Sequence, residues 1–347
     1  MLLFVSFVIA LMPGESFAQN FRSGASFWTP PGSTSQCRSS YKGIGNYKLS
    51  KSLTRRPYPN DDGRNFAGHY GMWLADTIAG RNVNAHKANI LKIAAAKTYT
   101  KPVLKGGWSP IYIQSNLIRL TAMYITVLEK QGRLSADERR ILLDWGSRMI
   151  PGQKGSRGNG SSDSMLASGV AMIAWGNITN DQRLMNTGYK KFMRGYSYVT
   201  GSVGNLKRHS GHRGVPLSAL GLEDEYNVAL QHAIEGAAIL RNLGIDVTSQ
   251  RIKGHTLPEA VGWFSDVIAA NPSGFKSKSA WSHNYHIGWI PIYLRMFPKD
   301  PAAARLKSLA RQVTSGRSPT FRAISLGGAT DCLWQISLIF QRFISDS

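Results

Sequence analysis

The stretch from Asn205 to Gln231 places a group of cations just ahead of a group of acids and a tyrosine. Lys207, Arg208, His209, His212 and Arg213 come first, and Glu223-Asp224-Glu225-Tyr226-Asn227 follow. Donors of that kind can hold a carboxylate and stabilise negative charge developing beside it. Positive charge nearby also favours tyrosinate and lowers a tyrosine's pKa, which suits Tyr226 to proton transfer. Arg208, His212 and Arg213 are therefore candidates for neutralising an anion, Lys207 for binding it, and Tyr226 for acting as base. The same residues have plainer readings. Acids at a helix start complement its dipole, and a tyrosine can be a buried, hydrogen-bonded core residue.

Three further segments combine polar and aromatic groups. Ser156-Arg157-Gly158-Asn159-Gly160-Ser161-Ser162-Asp163 leads into an apolar helix. Loops on a rigid scaffold often carry function, so Asn159, Ser162 and Asp163 are candidate ligand contacts, with Ser162 or Asp163 as a simple N-cap the alternative. Trp281-Ser282-His283-Asn284-Tyr285-His286 offers rings and imidazoles, and Trp281, His283 and Tyr285 are candidate binding residues. His283 and His286 have i,i+3 spacing but no acidic third ligand nearby, so neither a metal nor another cofactor is expected. Thr54 to Arg64 is basic and aromatic, and Arg56 and Tyr58 could close over an anionic ligand as a lid.

The elements that must position these residues read as helices. Apolar residues recur at helical spacing over Asn65–Ile78, Asn84–Tyr99, Ile111–Gln131, Ser164–Trp175, Asp181–Tyr198, Tyr226–Leu243, Pro258–Ala269, Ile287–Met296, Ala302–Val313 and Asp331–Ile344. Ser135 and Glu138 form a capping-box pattern that opens a helix reaching Ile150, and 152–162 reads as a glycine-rich loop. Strand patterns are scarce. Short helices in pairs predict an all-α fold of helical hairpins around a common axis, an α/α-toroid, with a HEAT-like array as the alternative.

Residues 1–18 follow the pattern of a signal peptide: an apolar run from Leu2 to Met12, a break at Pro13-Gly14, and small residues at Ser16 and Ala18. Residues 19–60 read as an irregular arm and 61–347 as the helical domain. Lys and Arg number 42 against 20 Asp and Glu, a net charge of +22. That excess is interleaved with aromatics through the folded body, so it draws a polyanion to a surface rather than to a basic tail. The two cysteines, Cys37 and Cys332, could pair in an oxidising compartment or stay as separate buried thiols.

The order of these segments resembles the alginate lyase family of polysaccharide lyases over most of residues 60–300. A helix of that family opens with Asn-Asn-His, and here Ser161-Ser162-Asp163 stands in its place. A later segment ending in Asn-Tyr-Ala-Leu resembles Asp224 to Leu230. Matched on Asn227 and Ala229-Leu230, the family's tyrosine falls on Val228 rather than Tyr226. The resemblance implies an α/α-toroid that cleaves a uronate-containing, alginate-like or glucuronan-like polysaccharide by β-elimination. It implies a periplasmic or secreted monomer that needs no cofactor and whose partner is the anionic polysaccharide, not nucleic acid or a membrane. Two other classes stay open. A glycoside hydrolase would need a carboxylate pair, for which Asp163 with Glu223 or Glu225 is available. A non-catalytic polyanion binder would need neither.

Overall fold

The computed structural model describes residues 19–31, 37, 62–101, 110–155, 162–205, 222–270, 287–313 and 330–334. Among them the regular structure is helical, apart from an isolated bridge between Ile252 and His255. The helices are α1 (Asp62–Ile78), α2 (Val83–Ala95), α3 (Pro110–Lys130), α4 (Ala136–Ser147), α5 (Ile150–Gly155), α6 (Ser162–Thr179), α7 (Gln182–Gly201), α8 (Leu222–Asn242), α9 (Leu257–Ala270), α10 (Trp289–Met296), α11 (Ala303–Val313) and α12 (Thr330–Leu333).

They form two rows. In the inner row α1 packs on α3, α3 on α6, α6 on α8, and α8 on α10. In the outer row α2 packs on α4, α7 on α9, and α9 on α11. Hairpins α1–α2, α3–α4, α6–α7 and α10–α11 join the rows. An inner ring of helices backed by an outer ring is the expected α/α-toroid.

Local sequence sets the boundaries. The capping box opens α4, with Glu138 N–H donating to Ser135 Oγ at 3.2 Å and Ser135 N–H donating to Glu138 Oε2 at 2.9 Å. Asp181 caps α7 by accepting Leu184 N–H at 2.9 Å. Helix α6 is buried on every side from Ser164 to Gly176, as its lack of a polar face requires once α3, α7 and α8 enclose it. Its backbone nearly touches that of α7. A Cβ on Gly169 would stand 2.7 Å from Phe192 N, and one on Gly188 would stand 2.8 Å from Gly169 O.

One element differs from the sequence reading. The first part of the expected glycine-rich loop is instead helix α5. Gln153 explains it. Ser115 donates to Gln153 Oε1 at 2.7 Å, and Gln153 Nε2 donates to Ile111 O at 3.2 Å. Those bonds to α3 outweigh the poor helix propensity of Gly152 and Gly155. The expected C-terminal helix is described only over α12.

Cys37 and Cys332 form a disulfide that closes a loop with a sequence separation of 295 residues. Around it the arm is fastened to the helical body. Trp28 Nε1 donates to Leu333 O at 2.9 Å, Asn242 Nδ2 to Phe27 O at 3.1 Å, and Asn177 Nδ2 to Ala25 O at 2.9 Å. Phe27 and Trp28 are buried in the main core. No helix among the described residues is long and apolar enough to cross a membrane.

Candidate active site

Helices α3, α6 and α8 begin at the same end of the ring. Tyr112, three residues into α3, meets Ala167 of α6 and Val228 of α8 in a small cluster separate from the main core. Helix starts gather positive dipole ends, which favour an anionic ligand there.

A line of polar side chains descends from that end into the inner ring. Tyr112 Oη and His232 Nε2 are 2.8 Å apart. His232 Nδ1 faces Glu235 Oε2 at 3.6 Å. Glu235 in turn forms an ion pair with Arg119 of α3. Helical spacing builds the line: Tyr112 and Arg119 are i,i+7 on α3, and Val228, His232 and Glu235 share one face of α8. His232 and Glu235 are fully buried, whereas Tyr112, 6% exposed, lies nearest the three helix starts, the end taken as the mouth of the ring. Asp163, at the start of α6, is partly exposed and acts on His232 electrostatically.

Burial holds His232 below its ordinary pKa of 6.5; the neighbouring Glu235 carboxylate opposes that shift without reversing it. The ring is therefore neutral near pH 7. A neutral ring with its Nδ1–H toward Glu235 leaves the Nε2 lone pair for the Tyr112 hydroxyl. Tyr112 then has a built-in proton acceptor, and Glu235 is fixed by Arg119. Asn116 stands one turn below Tyr112, buried, with an Oδ1 that has no hydrogen-bond partner among the described residues. Such a group is available to a hydroxyl-rich ligand.

The candidates read from the sequence divide clearly. Ser162 and Asp163 open α6 at this mouth. Tyr226 does not belong there. It is fully buried, its ring packs on Trp263 and Phe264, and its hydroxyl donates to Val199 O at 3.1 Å. Burial, and then the Tyr196 side chain, push its pKa well above the usual tyrosine value, the reverse of the expected lowering. Tyr226 is a core residue. Arg56, Tyr58, Asn159, Lys207, Arg208, His212, Arg213, Trp281, His283 and Tyr285 lie outside the described residues, as do the side chains of Glu223 and Glu225. Among the described residues no group of His, Cys, Asp and Glu could hold a metal ion.

Tyr112, Arg119, His232 and Glu235 were not among the sequence candidates. The signal was present as polar stripes on otherwise apolar helices: Asn227, Gln231 and Glu235 at i,i+4,i+8, and Tyr112, Asn116 and Arg119 at i,i+4,i+7.

The ring of inner and outer helices is an α/α-toroid, a fold it shares with solved structures of other proteins. Two solved structures of alginate lyase A1-III share it, a His→Ala variant and a Tyr→Phe variant, each complexed with tetrasaccharide. The first superposes with a TM-score of 0.59 and the second with 0.58; both are 15% identical, covering 89% of this chain and 88% of the other. No sequence-family profile and no curated protein matches the chain by sequence.

Proposed function

We propose that the protein is a polysaccharide lyase that cleaves a uronate-containing acidic polysaccharide by β-elimination. The observation that carries this reading is the Tyr112–His232 hydrogen bond at the mouth of the ring, backed by the buried Glu235–Arg119 pair. The fold shared with tetrasaccharide-bound alginate lyases and the charge of +22 support it. The disulfide fits an oxidising, extracytoplasmic compartment.

In this scheme the uronate carboxylate lies among cations, for which Arg208, His212 and Arg213 remain the candidates, and near the starts of α3, α6 and α8. Its neutralisation makes the C5 proton removable. Tyr112 passes its hydroxyl proton to His232 Nε2 and takes the C5 proton. The C–H electron pair becomes the C4–C5 double bond as the C4–O bond breaks. The departing oxygen takes a proton from Tyr112, which recovers one from His232. The net change moves one proton from C5 to the leaving oxygen and returns both side chains to their starting state. Acid–base catalysis of this kind contributes roughly 10²–10⁴ in rate.

The competing hydrolase reading needs Asp163 with Glu223 or Glu225; Asp163 opens α6 at this end, the side chains of Glu223 and Glu225 lie outside the described residues, and the buried Glu235 is committed to Arg119. A panel of acidic polysaccharides followed by ultraviolet absorbance tests the proposal. A lyase produces the chromophore of an unsaturated uronate. New reducing ends without that chromophore would overturn the lyase reading in favour of hydrolysis, and retention without either product would leave a binder.

A further inference from the structure

Helix α7, on the outer ring, carries Arg183, Lys190, Lys191 and Arg194 and no acidic residue. Arg183, Lys190 and Arg194, at i,i+7,i+11, share one face with Thr187, and all four are exposed. Lys191 turns away from them. It donates to Gln153 O at 2.5 Å, and burial lowers its pKa to about 8. Among the described acids around α7, Asp181 caps the helix start, Asp246 acts on Tyr196 and accepts from Thr248, Glu259 of α9 pairs with Arg251, and Asp266 of α9 pairs with Arg305. The 19–31 segment beside the helix holds no acid and adds exposed Arg22. Phe21 of that segment meets Tyr189 edge-on at 6.4 Å, and both rings are half-buried.

The register of α7 on α6 shows where this face leads. A Cβ on Gly195 would stand 2.9 Å from Ser162 O, so Arg194 lies level with the start of α6 and hence with the mouth of the candidate site. Gly176 of α6 approaches Asp181 O and Met185, so Arg183 lies at the far end. At a rise of about 1.5 Å per residue the three cations span roughly 16 Å down the outer wall.

We infer that this face of α7 is a docking track for a long anionic polysaccharide, continuing the path of a chain that leaves the mouth over the rim. The spaced cations meet successive carboxylates along the chain. The inference rests on the reading of the ligand as an acidic polysaccharide, but not on the catalytic residues.

The test compares two triple variants of equal charge. One is Arg183→Gln/Lys190→Gln/Arg194→Gln. The other, Lys92→Gln/Lys130→Gln/Arg133→Gln, removes exposed cations elsewhere on the ring. Binding to polyuronate is measured at low salt by titration, together with KM on polymer and on short uronate oligomers. The α7 variant should bind polymer about tenfold more weakly, the scale of three exposed ion pairs, with kcat and short-oligomer KM unchanged. The control should change about twofold or less. Equal losses in the two variants, or none in either, would overturn the track. So would a loss confined to anionic lipid vesicles. A wild type that cleaves no polyuronate would defeat the lyase reading, while the binding arm would still decide the track.

Discussion

Tyr112 and His232 stand 120 positions apart in the chain and 2.8 Å apart in space. Their meeting places a phenol beside a neutral imidazole at the mouth of a helical ring. Neither residue carries an unusual motif. The relationship exists because α3 and α8 both flank α6 and both begin at the same end.

Tyr112→Phe keeps the ring and its contact with Val228 and removes the hydroxyl. Turnover on the wild-type substrate should fall by roughly 10²–10⁴, with polymer binding little changed. Tyr226→Phe is the matched control. It removes one buried hydrogen bond, costs about 1 kcal/mol of stability, and should leave turnover intact. Steady-state kinetics and denaturant melts separate the two outcomes, and a fully active Tyr112→Phe would remove Tyr112 from the mechanism.

His232 predicts a pH signature. Its folded pKa is lowered from 6.5, so the unfolded chain takes up a proton before the native one does as pH falls. Its contribution to stability is fully present above pH 6.5 and is lost as pH falls from there through the folded pKa. Activity should follow the same group, because a protonated ring cannot accept from Tyr112. The acid limb of kcat/KM should therefore lie below pH 6.5 and disappear in His232→Gln, which should also be slow at every pH. An acid limb left in place by that substitution would assign it to another residue.

The Arg119–Glu235 pair is almost wholly buried, with side-chain exposures of 2% and 0%. Breaking it from one side leaves a charge in a low-dielectric interior. Glu235→Leu or Arg119→Met alone should cost about 3–5 kcal/mol, whereas the double variant should recover most of that loss. A urea-unfolding double-mutant cycle measures the coupling. The stable double variant should still turn over slowly, since His232 then lacks its partner.

The architecture was legible where local signals were strong. Periodicity over Asp181–Tyr198 anticipated α7, Gln182–Gly201, and the Ser135–Glu138 capping box marked the start of α4. Of the candidates read from the sequence that fall among the described residues, Ser162 and Asp163 lie at the start of α6 and Tyr226 lies in the core. The cation-rich stretch that drew attention to α8 ended at Gln231, one residue short of His232. Tyr226 is close to cations along the chain. Closeness in sequence does not say which way a helical residue faces: positions 226 and 228 differ by about 200° around the helix axis, so Val228 at the mouth puts Tyr226 in the core. Arg119 could not be paired with Glu235 before the fold was known, because their contact joins residues 116 positions apart.

The Cys37–Cys332 disulfide predicts sensitivity to reductant. It ties the arm to α12 across most of the chain. Its loss should lower stability by about 2–5 kcal/mol, read as a lower melting temperature in dithiothreitol. Cys37→Ser/Cys332→Ser should melt at the reduced value with and without reductant. Identical melting of the reduced and oxidised protein would show that the bond contributes no stability.

The central claim is that the bond is broken by elimination rather than by water. Mass spectrometry of the oligosaccharides released from a polyuronate measures it most directly. The account predicts products whose new non-reducing end is lighter by one water than the hydrolytic fragment, and their loss in Tyr112→Phe. Fragments of the full hydrolytic mass from the wild-type protein would contradict it.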